Sequence, residues 1–200
     1  MDRVPYGPMN TGVVRSIASH LQAAEALKGS AALLEQAVRL IVDTFKAGRR
    51  VYVLGNGGSA ADAQHIAAEL VGRLKQHDRP ALPAMALTTD TSALTAISND
   101  YGFEEVFARQ VQALVREGDV VWVLSVSGSS PNIIKAVKAA KRQAAMVIGF
   151  TGKEGDELRA LCDICLMAEH TDSDRVQEVH QLAYHIVCGL IEDEFVSSSQ

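Results

Sequence analysis

The chain has 200 residues, 48% of them hydrophobic and 22% charged, with a formal net charge of −5. That length can bury one full core, and no Lys/Arg block offers the clustered cations that a nucleic-acid surface needs. No apolar run approaches the ~20 residues that span a bilayer, residues 1–12 carry no charged-then-apolar leader, and three cysteines, an odd and sparse count, fit a reducing compartment. The expectation is a cytoplasmic protein with no membrane or nucleic-acid partner.

Residues 10–48 are expected to form two helices. The second is clearest in "AALLEQAVRLIVDTFKAG", where Leu33, Leu34, Val38, Ile41 and Phe45 recur at helical spacing and Gly48 stops the pattern. The period then changes. "RRVYVLGNGG" reads as a buried strand ending in glycines, and "SAADAQHIAAELVGRL" as a helix with Ser59 as its N-cap. "PAMALTT" is a further strand, followed by a short helical piece near 91–98 and a helix over 103–116. "GDVVWVLSVSGSS" is a strand ending in a polar loop, and "PNIIKAVKAAKRQ" a helix with Pro131 in its first turn.

"AMVIGFTG" (strand), "EGDELRALC" (helix), "CDICLMA" (strand) and the long helix "DRVQEVHQLAYHIVCGLIEDEF" complete the series. Cys162 and Cys165 form a lone C-x-x-C, expected to be alternating residues of a buried strand, because a zinc or redox site needs partners or a following helix start.

Strands that are apolar throughout and alternate with helices predict an α/β, three-layer sandwich: a five-stranded parallel sheet flanked by helices. One domain is expected over 1–200, with a helical extension over about 10–48 and a sheet core over about 49–196. The two extra N-terminal helices have many apolar residues to bury and are expected to pack against a partner subunit.

In parallel sheets ligands bind at the carboxyl ends of strands. Two such ends are unusual here. "GNGGSAAD" (55–62) lets backbone approach a ligand and leads into a helix start, which favours an anion. It is neither a dinucleotide fingerprint nor a Walker loop, so no nucleotide cofactor is expected, and a plain glycine turn remains open. "SVSGSSPN" (125–132) gathers four serine hydroxyls, a glycine and a helix start, which can hold a phosphate without Lys or Arg.

On the first helix, His65 and Glu69 are spaced i, i+4 and share one face, with Ile66 and Leu70 on a neighbouring apolar face. A surface pair and a site-facing pair are both compatible with that spacing. On the closing helix, Val176, Val179, Ala183, Ile186 and Leu190 are expected to form the core stripe, with His180 packed beside it. His185 falls on roughly the opposite side, with Gln177, Gln181 and Tyr184 in the arc between.

The loop pattern Ser-x-Ser-Gly-x-Ser resembles the hallmark of sugar isomerase (SIS) domains, which bind phosphosugars. Four blocks together, "GNGGSAADAQHIAAELVGR", "SNDYGFEEVFARQV", "SVSGSSPNIIKAVKAAK" and "DRVQEVHQLAYHI", resemble the phosphoheptose isomerases within that family, over about residues 10–195.

The resemblance implies Glu69 and His185 as an acid/base pair, and His65, Glu69, Gln177 and His185 as ligands of an optional zinc or other divalent ion. It further implies sugar and phosphate contacts at Asn56, Gly57, Gly58, Ser59, Arg73, Asp100, Ser125, Ser127, Ser130, Asp174 and Gln177, and a homotetramer. Arg73 could meet the phosphate or a neighbouring subunit, and Asp174 could bind sugar hydroxyls or cap the closing helix. Against the ion, Gln177 and His185 stand roughly 12 Å apart along a straight helix, and glutamine is a weak zinc ligand. Val126 and Ser129 replace the threonine and asparagine of the commoner family loop "STSGNS", which is expected to cost one hydroxyl contact.

The implied reaction turns a phosphorylated ketose, sedoheptulose 7-phosphate, into the aldose D-glycero-D-manno-heptose 7-phosphate through a cis-enediol, feeding heptose precursor synthesis. One group must take a carbon-bound proton and another must serve the oxygens, work suited to a glutamate and a histidine. The competing expectation is a non-catalytic SIS module. One relative associates with the replication initiator and lacks the glutamate and histidine that this chain carries at 69 and 185, and a phosphosugar sensor would also bind without turnover.

Overall fold

A computed structural model describes residues 9–197. The chain opens with helices α1 (Met9–Ala26) and α2 (Ala31–Lys46), joined by a 3-10 turn. Strand β1 (Val51–Gly55) leads into α3 (Gly58–Val71), and β2 (Ala84–Ala86) into α4 (Thr91–Tyr101) and α5 (Val106–Leu114). Then come β3 (Val120–Ser125), α6 (Pro131–Arg142), β4 (Met146–Gly152), the short α7 (Asp156–Arg159), β5 (Ile164–Ala168) and α8 (Ser173–Ser197).

The five strands pair in parallel in the order β2-β1-β3-β4-β5. Alternation along each strand divides the core. Val51, Val53, Trp122 and Phe150 face one side, where α2, α3 and α8 cover the sheet. Tyr52, Leu54, Val121 and Val147 face the other, under α5 and α6. From β1 the chain steps outward to β2, then crosses back to β3 on the other side. The crevice between the carboxyl ends of β1 and β3 is therefore the switch point at which open parallel sheets bind ligands.

Several expectations shift. The predicted helix over 103–116 divides into a 3-10 turn, Phe103–Glu105, and α5. Helix α7 has four residues, well short of the predicted segment. Cys162 lies before β5, and a bend at Asp163 breaks the alternation. Asp163 accepts from the Val147 amide and from Lys141, which fixes that bend. Both cysteines are thus half-buried, with their sulfurs over the bare face of Gly149, rather than alternating within a buried strand.

The buried stripe of α8 also differs from the predicted one. Val176, Val179, His180, Ala183, Tyr184, Val187 and Ile191 are buried. Ile186 and Leu190 are 39% and 41% exposed and, with Leu182, line an apolar groove against α1 and α2. Helix α8 follows the stripe that starts at Val176 and continues through Val187, and this turns Ile186 outward. His180 is packed as expected. Burial pushes its pKa down to about 4, so it stays neutral in the core at neutral pH.

Candidate active site

The loop after β1 is short and tightly turned. Gly57 has φ +57 and opens α3, a conformation that L side chains rarely adopt. Ser59 is not the N-cap. It sits buried inside the first turn of α3, where the cap position belongs to Gly57. Gly58 is bare for a different reason: a Cβ there would lie 2.3 Å from Gln177 Nε2 and 2.4 Å from its Oε1. The side chain of Gln177, from α8, therefore packs directly on the start of α3.

Helix α3 buries Asp62, Ala63, Ile66, Ala67 and Leu70, which leaves His65 and Glu69 on its flank. His65 Nε2 lies 3.0 Å from Glu69 Oε1. His185 reaches the same place from α8, its ring 4.9 Å from that of His65. One donor atom each from His65, Glu69 and His185 lie within 4.8 Å of one another. The two helices that spacing could not connect are joined here.

Two further residues hold this cluster. Asp62 is 7% exposed. Its Oδ2 accepts from Gln177 Nε2 at 3.2 Å and its Oδ1 from the Tyr184 hydroxyl at 3.3 Å. Burial raises the Asp62 pKa, opposed by hydrogen bonds from Gln177 and Tyr184. The Tyr184 hydroxyl also lies 3.1 Å from His65 Nδ1, and burial raises the phenol's pKa, so it stays protonated. Sequence reasoning missed Asp62, although a carboxylate among Ala63, Ile66 and Leu70 on an apolar face was a legible signal. Tyr184 was placed in a polar arc but is fully buried.

A second missed pair closes the far end of α3. Arg79 and Glu192 form a buried ion pair at 3.0 Å. Glu192 also accepts from the backbone amides of Leu74, Lys75 and Gln76, and Arg79 donates to the backbone carbonyl of Glu69. The carboxyl end of α3 is thereby tied to the helix that carries His185. Burial disfavours the Glu192 charge, but these donors outweigh it and its pKa falls.

The serine loop lies across the switch point from the glycine loop. Asn56 and Asn132 bind the two together through reciprocal amide hydrogen bonds, each 2.9 Å. Ser125 ends β3, buried, and its Oγ accepts from the Gly128 amide. Ser127 is exposed, and Ser130 stands at the N-cap of α6 without a side-chain capping bond. Gly128 has φ +66, and a Cβ there would lie 2.5 Å from Gly155 Cα. Val126 turns its side chain against the apolar core, so the hydroxyl of a threonine at this position would meet core rather than ligand.

The remaining candidates lie farther out. Arg73 is exposed, just past the end of α3. Asp100 is exposed on the last turn of α4 and accepts from Asn99. Asp174 does not cap α8. It sits within the first turn, 67% exposed at the side chain, bound to the amide and guanidinium of Arg175, whose hydrogen bonds lower its pKa. It lines an open cleft of ≈ 570 Å³ with Arg15 and Arg175, between α1 and the start of α8.

Residues 14–152 match the model of the SIS domain family. A phosphoheptose isomerase from Helicobacter hepaticus is 46% identical over 93% of this chain and 94% of its own. The structure of a phosphoheptose isomerase from Neisseria gonorrhoeae superposes with a TM-score of 0.87 at 41% identity, covering 93% of this chain and 100% of that one. One from Francisella tularensis gives 0.90 at 34%, covering 94% and 100%.

Proposed function

The chain belongs to the phosphoheptose isomerases, a family built on the SIS domain, and we propose that it interconverts sedoheptulose 7-phosphate and D-glycero-D-manno-heptose 7-phosphate in the cytoplasm. The observation that carries this reading is the meeting of Glu69 from α3 with His185 from α8, in a chain whose serine loop opens α6 at the sheet's switch point. A phosphosugar anchored by Ser125, Ser127 and Ser130 at the start of α6 would extend its carbonyl end toward α3 and α8. Glu69 then takes the carbon-bound proton, and His185 serves the carbonyl and hydroxyl oxygens. A module that only binds would have no use for two proton-transfer groups held this close.

The residues also fit a divalent ion. Glu69 Oε2 is buried without a hydrogen-bond partner, and the donor set of two imidazoles and a carboxylate suits zinc. His65, Glu69 and His185 would hold it, with Gln177 as the fourth ligand. When bound, it would polarise the substrate oxygens.

Val14, Ile17 and Leu21 project an exposed apolar stripe from α1, which supports a homotetramer whose subunits bury it and bring Arg73, Asp100 and Asp174 near a neighbour's site. The whole chain is read as one SIS domain.

The test is turnover of sedoheptulose 7-phosphate followed by proton NMR, with light scattering on the same sample for four chains. Glu69→Gln should lower kcat about 10³-fold or more while phosphosugar binding persists. Wild-type protein that binds ketose phosphates and turns none over would sink the enzyme reading.

A further inference from the structure

We propose that Asp62 and Tyr184 are positioning residues that fix how His65 and Gln177 present their donor atoms to the cation; the inference rests on the metal reading above. An ionised carboxylate only accepts hydrogen bonds. Asp62 Oδ2 takes the Nε2 of Gln177, so the amide turns its Oε1 away from Asp62. That oxygen is the one atom of the amide able to ligate a metal. Asp62 Oδ1 takes the single proton of the Tyr184 hydroxyl, which leaves the phenol oxygen to face His65 Nδ1 as an acceptor, 3.1 Å away.

The consequence is a defined tautomer. With a cation bound, Nδ1 of His65 would carry its proton and donate to Tyr184, leaving the lone pair on Nε2 for the ion. That nitrogen faces Glu69 Oε1, into the cluster. Asp62, Tyr184 and His65 form a carboxylate–tyrosine–histidine chain, one hydroxyl longer than the carboxylate–histidine pairs that stand behind metal-bound imidazoles and raise their basicity. Tyr184 is fully buried, and its hydroxyl meets Asp62, His65 and the side chain of Gln181. One carboxylate thereby orients two of the four candidate ligands. It does so from the apolar face of α3, where a carboxylate is otherwise costly.

Two variants test this on the full chain stripped of metal. Tyr184→Phe removes only the hydroxyl and keeps the ring against His65 and His185, 5.5 and 4.6 Å between centroids. Asp62→Asn replaces one acceptor by a donor, so either Gln177 flips or Tyr184 loses its acceptor. Competition against a chromophoric zinc chelator should show each variant binding zinc about 10–100-fold more weakly than wild type. In the zinc-loaded wild type, nitrogen-15 NMR of labelled histidine should find His65 protonated at Nδ1.

Equal affinity in wild type and Tyr184→Phe, or a proton at Nε2, overturns the positioning role and leaves the metal reading intact. A wild type that binds no zinc overturns the metal reading itself, and this inference with it. Should Asp62→Asn fail to fold by circular dichroism, Tyr184→Phe and the tautomer still decide.

Discussion

The two loops at the carboxyl ends of β1 and β3 share a plan. Each leaves a buried strand through a glycine with positive φ and opens a helix, and Asn56 and Asn132 join them across the crevice. They differ in what fills them. The first is occupied by the protein itself, because the amide of Gln177 lies on Gly58. The second keeps Ser127 exposed and Ser130 without a capping bond. A glycine loop thus signals close approach without naming the visitor. Here one loop receives a side chain of α8, and the other keeps an exposed serine.

The sharpest way to break this contrast is Gly58→Ala. The added methyl would fall on the Gln177 amide at less than contact distance, so Gln177 and its bond to Asp62 must move. Displacing a group in the site by even ~1 Å costs about 100-fold in rate, and kcat/KM should fall by that order, with weaker zinc binding. Unchanged kinetics would mean that Gln177 is not seated where it bears on catalysis. A smaller effect is expected at the open loop. Ser130→Ala deletes one hydroxyl that would face a charged phosphate, worth about 1.5–3 kcal/mol, so KM should rise about tenfold or more with kcat nearly unchanged. A loss in kcat instead would place Ser130 in the chemistry.

These contrasts also mark how far the sequence could be read. The strand–helix alternation announced the sheet, and continuously apolar "VVWVLS" and "VYVLG" announced strands buried on both faces. His65 and Glu69 were legible as one helix face. What periodicity could not supply was the pairing of that face with His185, because contact between α3 and α8 depends on how the sheet stacks them.

Angle counting on α8 chose Ile186 and Leu190 for the core, since apolar residues on two sides of one helix compete for the same assignment. The helix resolves it by burying Val187 and Ile191 and leaving the other pair at the surface. Asp62, Arg79 and Glu192 escaped notice because buried charges are recognised by their partners, and those partners lie 113–122 residues away in the chain.

The least effect, and the most exacting test of the contrast, is expected at Val126. It stands inside the serine loop, so by position alone a hydroxyl there should improve phosphate binding. Its half-buried side chain packs against the core, and its carbonyl accepts from the Gly152 amide, 3.0 Å away. Val126→Thr should therefore leave KM unchanged within about twofold. It should lower stability by roughly 1–3 kcal/mol, the cost of burying an unpaired hydroxyl, read as a drop in thermal midpoint. If KM instead falls severalfold at unchanged stability, residue 126 faces the ligand, and the open loop is built from its whole length rather than from its serines alone.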